Sequence, residues 1–151
     1  MTIHGSNPER RGTILLVEDN PADAELAGIA IRQNRPDVRV DVVGTGDEAL
    51  AFLRDGGGAP PADLVLLDLN LPGRDGTEVL EIMRSDEALR LIPVIVFSNS
   101  DARSDVVAAY RAGANAYLLK PMEYGAIKEA LGDLLRFWCG WTCLPRAVPV
   151  R

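Results

Sequence analysis

The sequence predicts an α/β fold, a doubly wound five-stranded parallel sheet with helices on both faces. Three observations predict it. Short apolar runs, such as Ile14-Leu15-Leu16-Val17 and Leu64-Val65-Leu66-Leu67, read as strands buried on both sides. Between the runs lie segments whose apolar residues recur at helical spacing. Turn-forming residues stand at the junctions, so strand and helix alternate as they do in βαβ units.

The first strand is predicted at Thr13–Val17. Asn20 then serves as an N-cap with Pro21 at the first helical position. That helix is expected to run to Asn34, with Leu26, Ile29, Ala30 and Gln33 on its inner stripe. Val38–Val43 is the second strand, and its Arg39 and Asp41 alternate outward, as at a sheet edge. A helix over Asp47–Arg54 turns Ala49, Leu50 and Leu53 inward. Gly56-Gly57-Gly58-Ala59-Pro60-Pro61 breaks the chain. It is not a domain boundary, because the next strand, Asp63–Leu67, is needed to complete the sheet.

The third helix is predicted over Gly76–Ser85, with Val79, Leu80 and Met83 inward. Pro93–Phe97 is the fourth strand. A helix over Asp101–Ala112 ends at Gly113, a C-terminal cap, and Ala116–Leu119 is the fifth strand. The last helix starts near Glu123 and reaches about Phe137 or beyond. The expected partition is a disordered polar tail at 1–12, a folded domain at 13–137 and a C-terminal extension at 138–151.

Composition narrows the function. The chain has 151 residues, 47% hydrophobic and 25% charged, enough for one domain with a real core. Its formal net charge of -6, without any long Lys/Arg run, argues against nucleic acid as a direct partner. No apolar stretch approaches the roughly 20 residues of a membrane span. Residues 1–12 have no apolar signal-peptide core, so the expected location is the cytoplasm. Cys139 and Cys143 have no nearby His to complete a zinc site, since the only one is His4. Two free thiols are expected, or a disulfide across a dimer.

Asp68 ends the apolar run of the third strand, where packing cannot explain a carboxylate. Glu18 and Asp19 end the first strand, Ser98-Asn99-Ser100 the fourth and Lys120-Pro121 the fifth. Ligands in open α/β sheets bind at the carboxyl ends of strands, at the switch point of the topology. A flavodoxin-like order, 2-1-3-4-5, brings Glu18, Asp19 and Asp68 into one pocket. Three close carboxylates need a cation, and oxygen-only ligands open to water suit Mg²⁺. A divalent cation and the Lys120 ammonium, with a carboxylate between them, form a receptor for a phosphoryl group. Asp68 is the candidate nucleophile, because carboxylates form aspartyl phosphates.

These residues resemble the receiver domain of two-component response regulators, the CheY-like fold, over about Thr13 to Leu135. The motifs are Val17-Glu18-Asp19-Asn20, Leu67-Asp68-Leu69-Asn70-Leu71-Pro72 with Asp75-Gly76, Phe97-Ser98-Asn99-Ser100, and Tyr117-Leu118-Leu119-Lys120-Pro121. The resemblance implies that Asp68 accepts a phosphoryl group from a phosphohistidine on a sensor histidine kinase. It implies Mg²⁺ on Asp19, Asp68, the Asn70 backbone carbonyl and, partly through water, Glu18. Lys120 and Ser98 would contact phosphoryl oxygens, and Ser98 with Tyr117 would form the switch. Asn70 and Ser100 would tune the lifetime of the phosphorylated state. The Lys120–Pro121 bond is expected to be cis.

Asn20-Pro21-Ala22-Asp23, the Gly/Pro-rich insertion, Phe137-Trp138 and Leu144-Pro145 are similar to single-domain regulators paired with bacterial and cyanobacterial phytochromes. That likeness implies a bacteriophytochrome kinase and an unknown downstream protein. On the last helix, Ile127, Leu131, Leu134 and Trp138 form one apolar stripe, which Leu135, Phe137, Trp141 and Leu144 widen beyond what one core needs. Surplus aromatic surface marks an interface. A homodimer through Leu134, Phe137, Trp138 and Trp141 is expected.

Only fifteen residues follow Arg136, so no output domain is expected there. Three other readings use the same residues. An aspartyl-phosphate hydrolase needs a second Asp as general acid where Asn70 stands. A flavin carrier needs a Ser/Thr/Gly-rich first loop, whereas Glu18-Asp19-Asn20-Pro21-Ala22-Asp23 repels phosphate. A phosphate sink or degenerate receiver would act as a sink or a binding module.

Overall fold

The structure is a computed structural model that describes residues 12–54 and 62–145. The expected tail up to residue 11, the Gly/Pro-rich break and the last six residues lie outside the described residues. The elements alternate along the chain: β1 (Thr13–Val17), α1 (Pro21–Asn34), β2 (Arg39–Val43), α2 (Gly46–Arg54), β3 (Leu64–Leu67), α3 (Gly76–Ser85), β4 (Val94–Ser98), α4 (Arg103–Ala112), β5 (Ala116–Leu119) and α5 (Tyr124–Leu135). A π-helical segment, Arg136–Trp141, continues α5. The sheet is five-stranded and its pairs are all parallel, in the order β2-β1-β3-β4-β5. The doubly wound topology expected from the sequence is the one observed.

Side chains alternate across the strands, and each apolar run feeds two cores. Leu15, Val17, Val65, Leu67, Val94 and Val96 face α2, α3 and α4. Ile14, Leu16, Leu64, Leu66, Ile95 and Phe97 face α1 and α5. Because β1, β3 and β4 are covered on both faces, they are continuous apolar runs. β2, at the edge, is half-exposed and carries the Arg39–Asp41 pair at 3.1 Å.

Local signals set the helix ends. Asn20 Oδ1 accepts the Ala22 and Asp23 N–H groups at 2.9 and 3.1 Å, capping α1 ahead of Pro21. Asp75 caps α3 by accepting the Glu78 N–H at 2.9 Å. Gly113 ends α4 in the left-handed region, at φ 110°. Arg84, late in α3, ties the far end of the sheet together. Its guanidinium donates to the Gly113, Arg90 and Ile92 carbonyls and to Asn115 Oδ1, at 2.9 to 3.1 Å.

The inner face of α1 differs from expectation. Ala24, Ala27, Gly28, Ala30 and Ile31 are buried, whereas Leu26 is 38% exposed and Gln33 is exposed. Close approach selects small residues here. Asn34 Nδ2 bridges the Ala30 and Lys128 carbonyls, both at 2.9 Å, so α1 lies tight against α5. A Cβ on Gly132 would meet Asn34 Oδ1 at 2.7 Å. Gln33 faces α5 through a polar contact, accepting from the Tyr124 hydroxyl at 2.7 Å.

The last helix also corrects an expectation. Leu134 and Leu135 are 9% and 0% exposed, packed in the chain's own core on the α1 side of the sheet. They are not surplus apolar surface. The π-helical segment keeps Trp138 and Cys139 half-buried against the same core, while Phe137 and Trp141 are 56% and 67% exposed. Phe137 meets Trp138 edge-on, with ring centroids 5.5 Å apart. No helix among the described residues is long and apolar enough to cross a membrane.

Candidate functional site

The parallel ladder continues one residue beyond three strands. The N–H of Glu18 donates to the Val43 carbonyl at 3.0 Å, that of Asp68 to Val17 at 3.0 Å and that of Lys120 to Ser98 at 2.8 Å. Each polar residue therefore leaves the sheet with its backbone held by a neighbouring strand. Oxygens of Glu18, Asp19 and Asp68 lie within 4.8 Å of one another. Glu18 and Asp68 are 5% and 7% exposed, whereas Asp19 opens to solvent.

Lys120 supplies the opposing charge. Its Nζ lies 2.6 Å from Glu18 Oε2, 3.2 Å from Asp68 Oδ2 and 3.6 Å from Asp23 Oδ2. The ammonium also lies 5.9 Å from the centre of the Phe97 ring, so the charge rests on an apolar floor. Remaining carboxylate oxygens bond locally: Glu18 Oε1 accepts the Asn20 N–H and Asp68 Oδ1 accepts the Asn70 N–H, both at 3.1 Å.

Charge in this rim is strained by proximity. Burial and the hydrogen bond to Asp68 push the Glu18 carboxyl up to about 7, despite Lys120 beside it. Burial pulls the Lys120 ammonium down, but its bonds and charges with Glu18 and Asp68 outweigh burial and raise it. All-oxygen donors with one side open to water fit a hard divalent cation such as Mg²⁺.

Ser98 ends β4 and is fully buried; its Oγ accepts the Ser100 N–H at 3.2 Å. Tyr117, on β5, donates its hydroxyl to the Ser100 carbonyl at 2.7 Å. The Tyr117 N–H donates to the Tyr110 hydroxyl at 3.2 Å, and Ser100 Oγ donates to Asp105 at 2.5 Å. One chain of bonds thus joins the end of β4, the start of α4 and β5.

The structure brings Glu18, Asp19, Asp68 and Lys120 together as the sequence predicts. Ser98 ends β4, and Asn70 lies in the loop after β3 with its N–H on Asp68 Oδ1. The Lys120–Pro121 bond differs from expectation, since no described peptide bond is cis. Trans is the favoured isomer of an X–Pro bond, and Lys120 reaches both carboxylates with it.

Asp23 and Gly76 are two residues whose roles the sequence reading missed. Asp23 lies in the first turn of α1, and its contact with Lys120, far away in sequence, has no local signal. A Cβ on Gly76 would meet the Asp68 carbonyl oxygen at 2.5 Å and Leu69 Cα at 2.8 Å. Its N–H donates to the Leu69 carbonyl at 3.0 Å, so α3 starts directly on the backbone that carries Asp68. Gly76→Ala is expected to destabilise the fold by about 2 kcal/mol through overpacking, read from urea unfolding.

Residues 14–132 match the response regulator receiver domain family. The chain is similar to the response regulator Rcp1 of Synechocystis, 36% identical over 145 residues, 94% of this chain and 97% of that one. The Mn²⁺-bound structure of Rcp1 superposes with a TM-score of 0.80 at 34% identity, over 89% of this chain and 99% of that one. The phosphorylated cyanobacterial phytochrome response regulator RcpA gives a TM-score of 0.85 at 37% identity, over 90% and 99% of the two chains. The probable methanogenesis regulatory protein FilR2 of Methanothrix harundinacea is 40% identical over 134 residues, 87% of this chain and 86% of that one. The family match takes in every strand end that carries the acids, the buried hydroxyl and the lysine, and the chain belongs to the response regulator receiver domain family.

Proposed function

We propose that Asp68 accepts a phosphoryl group from a phosphohistidine of a sensor histidine kinase, and that this kinase is a bacteriophytochrome. The observation that carries the reading is the Lys120 ammonium held between Glu18 and Asp68, 2.6 and 3.2 Å away. An Asp68 oxygen forms the bond to phosphorus as the P–N bond to the kinase imidazole breaks. Lys120 stays on the phosphoryl oxygens, and the rim supplies position and charge rather than a protonation step. Mg²⁺ held by Glu18, Asp19, Asp68 and the Asn70 carbonyl would neutralise charge on the phosphoryl group. The kinase class rests on the likeness to RcpA, a phytochrome response regulator.

The chain then acts as a phosphoacceptor signalling protein of the cytoplasm. It assists its own phosphorylation and dephosphorylation and turns over no external substrate. Ser98 is the buried hydroxyl that follows the phosphoryl group, and Tyr117 carries the change to the α4–β5 face through Ser100. Asn70 and Ser100 stand where water would approach, and neither carries a carboxylate. A hydrolase lacks its general acid at Asn70. A downstream protein reads the state. Phosphotransfer from a bacteriophytochrome kinase tests the reading: label appears on the wild type only with Mg²⁺ and is absent from Asp68→Asn. Equal labelling of both proteins would remove Asp68 from its role.

The homodimer is part of the proposal, with a smaller surface than expected from the sequence. Leu134 is taken by the chain's own core, so Phe137, Trp138 and Trp141 carry it. Sedimentation at tens of micromolar is expected to show a dimer that Phe137→Ala weakens. A monomer at that concentration removes the interface.

A further inference from the structure

Asp23 is a fourth acid on a rim whose cation site uses three. The oxygens that cluster within 4.8 Å belong to Glu18, Asp19 and Asp68, not to Asp23. Among the described residues, Asp23 meets the rim through an ion pair with Lys120, 3.6 Å from Nζ. Its side chain is 41% exposed, against 4% and 8% for those of Glu18 and Asp68, the other partners of Lys120. It therefore stands at the solvent mouth, and it lines one cleft with Glu18, Asn99 and Lys120.

The charges can be counted. Glu18, Asp19, Asp68 and Asp23, when ionised, give four negative charges. A bound divalent cation and Lys120 give three positive ones, so the loaded rim keeps one negative charge. Asp23 lies outside the cation's three ligands at the open side of the rim, and it also draws on the ammonium that a phosphoryl group must use. A small free phosphodonor has only this local field to bring it in. A phosphoryl group on a protein histidine is delivered by an interface, whose contact energy outweighs one screened charge.

We propose, on the reading that Asp68 is the phosphoacceptor, that Asp23 is a specificity-determining residue that selects against free anionic phosphodonors. With acetyl phosphate, an Asp68 oxygen bonds to phosphorus, the P–O bond to acetate breaks, and acetate leaves with the electron pair. Asp23 opposes the approach of that dianion and shares Lys120 with it. Asp23 also lies in the first turn of α1, where a carboxylate favours the helix dipole. A purely structural role therefore predicts that removing its charge slows the reaction or leaves it alone.

The test measures labelling of the full chain by acetyl phosphate with Mg²⁺, in wild type, Asp23→Asn, Asp23→Glu and Asp68→Asn. Asp23→Asn is expected to react about three- to tenfold faster than wild type, with a gain that shrinks at high salt. Asp23→Glu keeps the charge and stays near the wild-type rate. With a histidine kinase as donor, the Asp23→Asn gain is smaller than with acetyl phosphate. An Asp23→Asn rate equal to or below wild type overturns the selection, as does inertness of both to acetyl phosphate. The kinase arm separates the two readings, because label on wild type and none on Asp68→Asn upholds the phosphoacceptor while Asp23 fails. Label on Asp68→Asn equal to wild type overturns both.

Discussion

Lys120→Ala is expected to lose about 3 kcal/mol of stability at pH 8 without divalent cations, because it strips the cation from two buried carboxylates. The side chains of Lys120, Glu18 and Asp68 are 7%, 4% and 8% exposed, so little water replaces the lost contacts. Mg²⁺ should restore part of the loss by neutralising the same acids. Phosphoryl transfer should remain about 100-fold slow even with Mg²⁺, because the ammonium that meets the phosphoryl oxygens is gone. Urea unfolding in chelator and in Mg²⁺, followed by labelling, separates the two effects. Lys120→Met keeps the stem over Phe97 and removes only the charge. If Lys120→Ala unfolds at the wild-type midpoint in chelator, the buried pair does not stabilise the fold as described.

The second large effect is a pH dependence that Mg²⁺ opposes. Burial and Asp68 hold the Glu18 carboxyl at about 7, above its ordinary value of 4.5. Between those values the unfolded chain has released a proton that the folded chain keeps. The stability from Glu18 is therefore full below about pH 4.5 and is lost as pH rises through about 7. The cost is about 3 kcal/mol for a shift of this size. Mg²⁺ needs the ionised form, so its affinity should weaken below pH 7, with protons released on binding. Calorimetry in buffers of different ionisation enthalpy measures that release, and denaturant unfolding from pH 5 to 8 measures the stability. Glu18→Gln should flatten the stability curve. A curve as steep in Glu18→Gln as in wild type would assign the pH dependence elsewhere.

The sheet was legible because burial on both faces leaves its strands as unbroken apolar runs. The functional rim was legible for the same reason, since Glu18, Asp68 and Lys120 interrupt those runs at equivalent ends. Helix faces were less legible. On α1 Leu26 is exposed and the buried face is Ala24, Ala27, Gly28, Ala30 and Ile31, mostly small residues, because close packing on α5 favours small volume. Periodicity reads hydrophobicity, not the distance between helices. Leu134 and Leu135 misled in the opposite direction, since their own core had room for both.

Asp23 was present in the quoted motifs without a role, because an ion pair between residues 97 apart in sequence has no local signature. Gly76 was likewise noted beside Asp75, but its reason, a backbone 2.5 Å from where a Cβ would stand, exists only once α3 is docked. The bond from Tyr117 to Ser100 is of the same kind.

The central claim is that a covalent phosphoryl group forms on one carboxylate, Asp68. Borohydride reduces an aspartyl phosphate to homoserine, a mass change that peptide sequencing can place on a single residue. After phosphotransfer in Mg²⁺, the predicted result is homoserine at position 68 alone. Homoserine at Asp19 or Asp23, or none at all on a protein that carries label, would contradict it.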